Sequence, residues 1–164
     1  LADVVEAWEA EADRAEALGV RVVKLRIGIV LSPKGGALAK MLPVFRMGGG
    51  GPMGSGRQWF PWIHLEDVLN IIDWALTDAA ARGIYNTVAP GVCRQKDFAR
   101  GVGAALGRPA VVPAPAFALK LAMGRQMAEE ALLSSVRVQP KRLMDAGFHF
   151  AYPELGPALA DLLG

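Results

Sequence analysis

ALGVRVVKLRIGIVL, residues 17–31, is the stretch that decides the fold. Gly19 follows Leu18 as a helix stop, and from Val20 to Leu31 the chain is β-branched and apolar, broken mainly by Arg21, Lys24 and Arg26. Upstream, Val4, Trp8, Ala12 and Ala15 share one helical face, with Glu6, Glu9, Asp13 and Glu16 mostly on the others. A helix therefore feeds directly into a buried strand, which is the second half of a β-α-β crossover. No capping residue precedes the helix at Leu1, and no strand lies before it, so the expectation is the later part of a longer α/β fold.

Composition agrees with a globular chain. Of 164 residues, 52% are hydrophobic and 21% charged, with 19 Gly, 11 Pro and one Cys, which excludes a disordered, collagen-like or disulfide-bonded scaffold. A chain of this length buries roughly 70% of its unfolded surface, enough for one core. The formal net charge of +2 dictates no polyanionic partner, although residues 1–16 are mostly acidic and residues 94–142 basic. Cys93 stands alone, and there is no signal sequence or long uncharged apolar run, so the expected setting is the cytoplasm with no membrane span.

Further along, residues 37–47 suit a short helix, 48–56 a Gly-rich loop, and 66–77 a firm helix with Val68, Ile71, Ile72, Ala75 and Leu76 on its apolar side. Residues 84–89 read as a strand, 95–106 as a helix stopped by Gly107, and Val111 with Val112 as a short strand before Pro113. Residues 117–123, 128–133, 140–146 and 154–163 read as helical, the last interrupted at Pro157. The fold class is α/β: the C-terminal part of a Rossmann-type parallel sheet plus a mostly helical lobe.

Several motifs carry possible chemistry. Gly49, Gly51 and Gly54 satisfy G-x-G-x-x-G, but a helix leads in and Pro52 follows, so no helix N-terminus is available for a pyrophosphate. These glycines suit close approach to a ligand or a neighbouring segment, or a flexible surface loop. His64 and His149 lack zinc-type spacing, so no metal is expected. Ser55 lacks the preceding glycine of a nucleophile elbow, Met53 standing there, and Cys93 reads as a small apolar filler before it reads as a nucleophile. His64 and Asp67 sit at a helix entry, where a capping role outweighs acid–base work. Trp59, Phe60 and Trp62 beside Arg57 either wall a pocket for a planar or anionic ligand or anchor the loop in the core. Arg137, Lys141 and Arg142 form a basic group suited to phosphate or, more simply, to a solvated face.

LRIGIVLSP (25–33), GGGGPMGSGRQWFPWIHLED (48–67), IYNTVAP (84–90) and SVRVQPKRLMDAGFHF (135–150) occur in an order that resembles one branch of the extended short-chain dehydrogenase/reductases. This is the atypical NAD-dependent epimerase/dehydratase, or sugar nucleotide epimerase, family with a C-terminal domain of unknown function. Its members are about twice this length and open with the Gly-rich Rossmann unit. The resemblance implies that residues 1–31 are the last helix and strand of the Rossmann-like domain and 32–164 the substrate-side lobe. It implies an NAD(P) cofactor held mainly by an N-terminal half, its nicotinamide end approached by Gly28, Ile29 and above all Val30. Arg57, Trp59, Trp62 and His64 would line the substrate cleft. The partner would be a small molecule, a nucleotide sugar or carbonyl compound, with no nucleic acid and a homodimer as the assembly.

The departures from that family are specific. Spacing back from Glu9 puts the proton-delivering Tyr-x-x-x-Lys positions near Leu1 and Val5, and Tyr85 and Tyr152 have Ala89 and Gly156 four residues on. The diphosphate-binding Arg position is Phe60, for which Arg57 is the substitute, and an Asn often found after the strand is Ile29. The isolated chain is expected to be inactive and to bind cofactor negligibly. A dinucleotide-responsive regulatory protein is the alternative.

Overall fold

A computed structural model describes residues 2–113 and 135–164; the helices expected over 117–123 and 128–133 lie outside the described residues. Helix α1 (Ala2–Ala17) leads through a turn at Gly19 into β1 (Val23–Ile27) and β2 (Ile29–Leu31). After α2 (Gly36–Arg46) come β3 (Trp59–Phe60), β4 (Trp62–His64), α3 (Leu65–Thr77), β5 (Gly83–Thr87), β6 (Cys93–Arg94) and α4 (Gln95–Ala105). Among the described residues two further helices follow, α5 (Lys141–Asp145) and α6 (Leu155–Leu163).

The apolar run expected as one strand is two. β1 pairs in parallel with β5, Leu25 opposite Tyr85, whereas β2 pairs in parallel with β4, Val30 opposite Ile63. The exchange of partners happens at Gly28, whose N–H donates to the Thr87 carbonyl (3.0 Å) while the N–H of Ile29 donates to that of Pro61 (2.7 Å). A Cβ at position 28 would lie 2.5 Å from Pro61 O and 2.7 Å from Val88 Cγ1, so only glycine lets the ladder cross here. β3 and β6 add a short antiparallel pair, Trp59 opposite Arg94.

Among the described residues two apolar clusters result. In one, Leu31, Leu42, Phe45, Phe60, Trp62, Phe98 and Leu159 bind α2, α4 and α6 to the strands; in the other, Ile63, Ile71, Tyr85 and Leu143 seat α3 and α5. The long connections are hydrogen bonded to match. Arg21 donates to the carbonyls of Ala75 (2.6 Å) and Leu76 (2.9 Å), capping the C-terminal end of α3. Arg142 donates to the carbonyls of Ile84 (2.6 Å) and Arg82 (2.9 Å) with its guanidinium over Tyr85.

Two further expectations change. Val111 and Val112 form no strand; they are exposed, and Val112 only donates its N–H to the Gly50 carbonyl (3.2 Å). Pro157 does not interrupt α6, because it lies in the first turn, where no intrahelical N–H is needed. The Gly-rich loop is packed: a Cβ on Gly50 would enter the Phe45 ring and one on Gly51 the Val112 backbone. Buried Gln95 accepts the Met53 N–H (2.8 Å), fixing the loop to the start of α4.

Candidate functional site

A cavity of about 840 Å³ opens beside the break at Gly28. α1 supplies Val5, Trp8, Glu9 and Ala12 to one wall, β1 supplies Lys24 to Ile27, and Asn86 with Val88 come from the end of β5. Residues 136–139 close the remaining side, with Pro61 at the base beside Gly28. The cavity therefore runs along β1 and past the C-terminal end of β5 to the break where β1 gives way to β2.

Its charges are organised by α1. Glu9 accepts two hydrogen bonds from Arg26, from Nε and Nη2, each 2.7 Å. This pairing holds the Glu9 carboxyl below its ordinary pKa and the Arg26 guanidinium above its own. Lys24 and Asp13 form a second pair, 2.5 Å apart, one turn further along α1. Asn86 Nδ2 reaches the Gln139 carbonyl at 3.4 Å, a long bond that ties β5 to the closing segment. The other edge of β1 has no strand partner among the described residues, and Ile27 is 49% exposed there. A smaller groove of about 270 Å³, lined by Val23, Leu25, Ile72 and Leu76, runs along the α3 side.

Of the residues expected to meet cofactor, Gly28 lines the cavity, while Ile29 and Val30 continue into β2. Of those expected at the substrate, Trp59 and Trp62 line a narrow cleft that shares Pro61, Val136 and Val138 with the cavity, whereas Arg57 and His64 line neither. Trp62 is 1% exposed, its indole N–H donating to the Gly91 carbonyl (2.9 Å). His64 is buried and caps α3, accepting the Glu66 N–H at Nδ1 (3.1 Å), with its ring stacked on Tyr152. Its Nε2 lies 3.3 Å from Asp161 Oδ2, close in charge but without hydrogen-bond alignment. Asp67, also buried, accepts the N–H groups of Ala151 (2.7 Å) and Tyr152 (3.1 Å). Trp59 and Arg57 lie near the surface, the Arg57 carbonyl accepting from Arg94 (2.6 Å).

The basic group at 137–142 divides: Arg142 serves the fold, Lys141 pairs with Asp145 (2.8 Å), and only Arg137 faces the cavity. Cys93 is pushed up to about 12, chiefly by burial and then by Asp97, which disfavours a thiolate. Neither tyrosine lines the cavity: Tyr85 is packed beside Trp74, and Tyr152 has its pKa raised, first by its hydrogen bond to Asp161 and then by burial. Sequence reasoning missed Glu9, Arg26, Asn86 and Gln139 as lining residues and marks Arg137 only as part of a basic group. The one available signal was an acidic residue on α1 facing a basic residue on the strand that follows.

Parallel strand pairs with helices between the strands define an α/β protein of Rossmann type. Residues 114–162 match a family described as Domain of unknown function (DUF1731). The chain is 43% identical over 162 residues to the epimerase family protein SDR39U1 of Bos taurus, covering 98% of this chain and 54% of that protein. A crystal structure of human epimerase family protein SDR39U1 (isoform 2) with NADPH superposes with a TM-score of 0.85 at 43% identity, covering 88% of this chain and 48% of that one. The nucleoside-diphosphate sugar epimerase from Corynebacterium glutamicum gives 0.73 at 32% identity, covering 99% and 30%. The chain is similar to these epimerase family proteins and matches a part of each. It spans about half the length of the curated relatives it matches. Among the described residues no helix is long and apolar enough to cross a membrane.

Proposed function

We propose that the chain is the substrate-side half of an NAD(P)-dependent oxidoreductase or epimerase-like protein acting on a small molecule. The cavity beside Gly28 is the observation that carries this reading. The nicotinamide end of NAD(P) would rest there, against Gly28, with Ile29 and Val30 holding the turn from behind. The cofactor supplies hydride chemistry when bound, and the residues of this chain shape and neutralise the chamber around it. The Gly28 and Ile29 N–H groups are already given to Thr87 and Pro61, so this turn offers shape more than hydrogen bonds.

The edge of β1 that has no strand partner among the described residues, with a groove on either side, fits an N-terminal half that continues the parallel sheet and carries the phosphate cradle. Residues 1–31 then close the Rossmann-like part and 32–164 form the substrate-side lobe, from which β5 returns to pair with β1. Arg57 and Trp59 stand at the substrate mouth, and buried Trp62 and His64 support its wall. A cytoplasmic homodimer belongs to the same reading.

Titrating the full-length protein with NADPH while following Trp8 fluorescence tests it. Saturable quenching that disappears in Trp8→Phe is expected, and no quenching at millimolar cofactor would refute it. The non-catalytic alternative draws on α1, whose share of the cavity wall is Val5, Trp8, Glu9 and Ala12, without Tyr or Lys. Bound NADPH that is never oxidised across a panel of carbonyl compounds and nucleotide sugars would favour it.

A further inference from the structure

The charges in the cavity wall cancel in pairs except for one. Arg26 is matched by Glu9 and Lys24 by Asp13, whereas Arg137 has no carboxylate partner among the described residues. Its guanidinium carbon lies 5.1 Å from the centre of the Trp59 ring, and that of Arg94 lies 3.4 Å from the same centre. Two cations therefore share one indole. The ring is fixed by the β3–β6 pairing, Trp59 opposite Arg94, and by the Trp59 N–H donating to Ser135 Oγ (3.1 Å). Arg94 is fixed in turn by its bond to the Arg57 carbonyl.

Indole attraction holds each guanidinium in place but leaves both positive charges uncompensated. With both guanidinium carbons within 5.1 Å of one ring centre, an anion beside the indole is attracted by both charges, and guanidinium N–H groups suit the oxygens of phosphate and carboxylate. The site adjoins the cavity, because Val136, Val138 and Pro61 line both the cavity and the narrow cleft at Trp59.

We infer that Arg94, Trp59 and Arg137 form an oxyanion-binding clamp at the mouth of the cavity, taking a phosphate or carboxylate group of the small molecule whose reacting part enters it. This rests on reading the cavity as the substrate site. The clamp supplies a charge contact from residues outside the motif position occupied by Phe60.

The test is calorimetric titration of the full-length protein with pyrophosphate and with citrate at fixed ionic strength, beside NADPH binding on the same sample. At least one anion is expected to bind. Arg137→Gln and Arg94→Gln should each weaken it at least tenfold, while Arg100→Gln, an exposed arginine on α4, leaves it unchanged. Arg137 is exposed, so Arg137→Gln should also keep the thermal midpoint. Tighter pyrophosphate binding assigns the clamp to phosphate, and tighter citrate binding assigns it to carboxylate. No binding of either anion, or equal loss in Arg100→Gln, overturns the clamp. If NADPH saturates and the anions do not bind, only the clamp fails; if the anions bind and NADPH does not, the cofactor reading fails instead.

Discussion

A Cβ on Gly28 would stand 2.5 Å from the carbonyl oxygen of Pro61, and that single approach is what turns one apolar run into two strands with different partners. The obstacle is backbone on one side and the Val88 side chain at 2.7 Å on the other, so a methyl group cannot be absorbed by one rotamer change. Gly28→Ala should cost about 1–3 kcal/mol, a fall in Tm of about 2–4 °C per kcal/mol in a chain of this size. Thermal unfolding followed by circular dichroism measures it; an unchanged midpoint would mean that the crossing relaxes without cost.

The Glu9–Arg26 pair gives α1 an acid-sensitive attachment. The carboxyl is held below its ordinary pKa, so its contribution is fully present above that ordinary value and fades as pH falls through the lower one in the fold. Protection of the α1 amides, referred to the intrinsic exchange rate at each pH, should therefore fall severalfold under acid conditions before the β1–β5 ladder loosens, and Glu9→Gln should show the lower protection already at neutral pH. Equal protection of α1 in Glu9→Gln and the parent chain would assign its attachment to packing alone.

What could be read in advance was local, and what could not was a choice of partner. α1, α3 and α4 announce themselves through apolar spacing, and β1 and β5 through β-branched runs, because those signals lie within one element. The break at Gly28 depends on carbonyls of Thr87 and Pro61, about sixty and thirty positions away, which no window along the chain contains. The same holds for Val111 and Val112, which meet no partner strand among the described residues. At the site, Pro61 separates β3 from β4, so Trp59 stays half-buried and Trp62 enters the core; composition alone makes the two equivalent.

That difference predicts opposite phenotypes for the two tryptophans. Trp62→Phe removes a buried indole N–H from the Gly91 carbonyl and leaves unfilled volume, and should cost about 1–3 kcal/mol of stability. Trp59→Phe should change stability by less than about 1 kcal/mol yet weaken anion binding, since phenyl holds cations less well than indole. Urea denaturation of both variants separates the roles, and a larger loss in Trp59→Phe would reverse the assignment.

Asp67 ties α3 to the segment that leads into α6. Its carboxylate takes two backbone N–H groups, from Ala151 and Tyr152, and is itself 0% exposed. Hydrogen bonds to a charged acceptor contribute about 1.5–3 kcal/mol each, so Asp67→Ala should cost about 3 kcal/mol or more and Asp67→Asn about half as much. Faster amide exchange at Ala151 and Tyr152 should accompany the loss. A variant that lowers Tm while those two amides keep their protection would place the carboxylate's role elsewhere.

Cys93 offers a chemical readout of the same packing. Its thiol is pushed up to about 12 by burial and then by Asp97, and its Sγ is near the Phe60 carbonyl (3.8 Å). A raised thiol pKa keeps the neutral form through neutral pH, so folding is not linked to this group until pH passes the ordinary thiol value, above which ionisation of the unfolded chain favours unfolding. Alkylation by iodoacetamide at pH 8 should run at least about a hundredfold slower than for a free thiol, because the thiolate is the reacting form. In denaturant the rate should rise to that of an ordinary cysteine. Fast native labelling would show that β6 opens readily at Cys93 and that the clamp built on the β3–β6 pair lacks the rigidity its geometry implies.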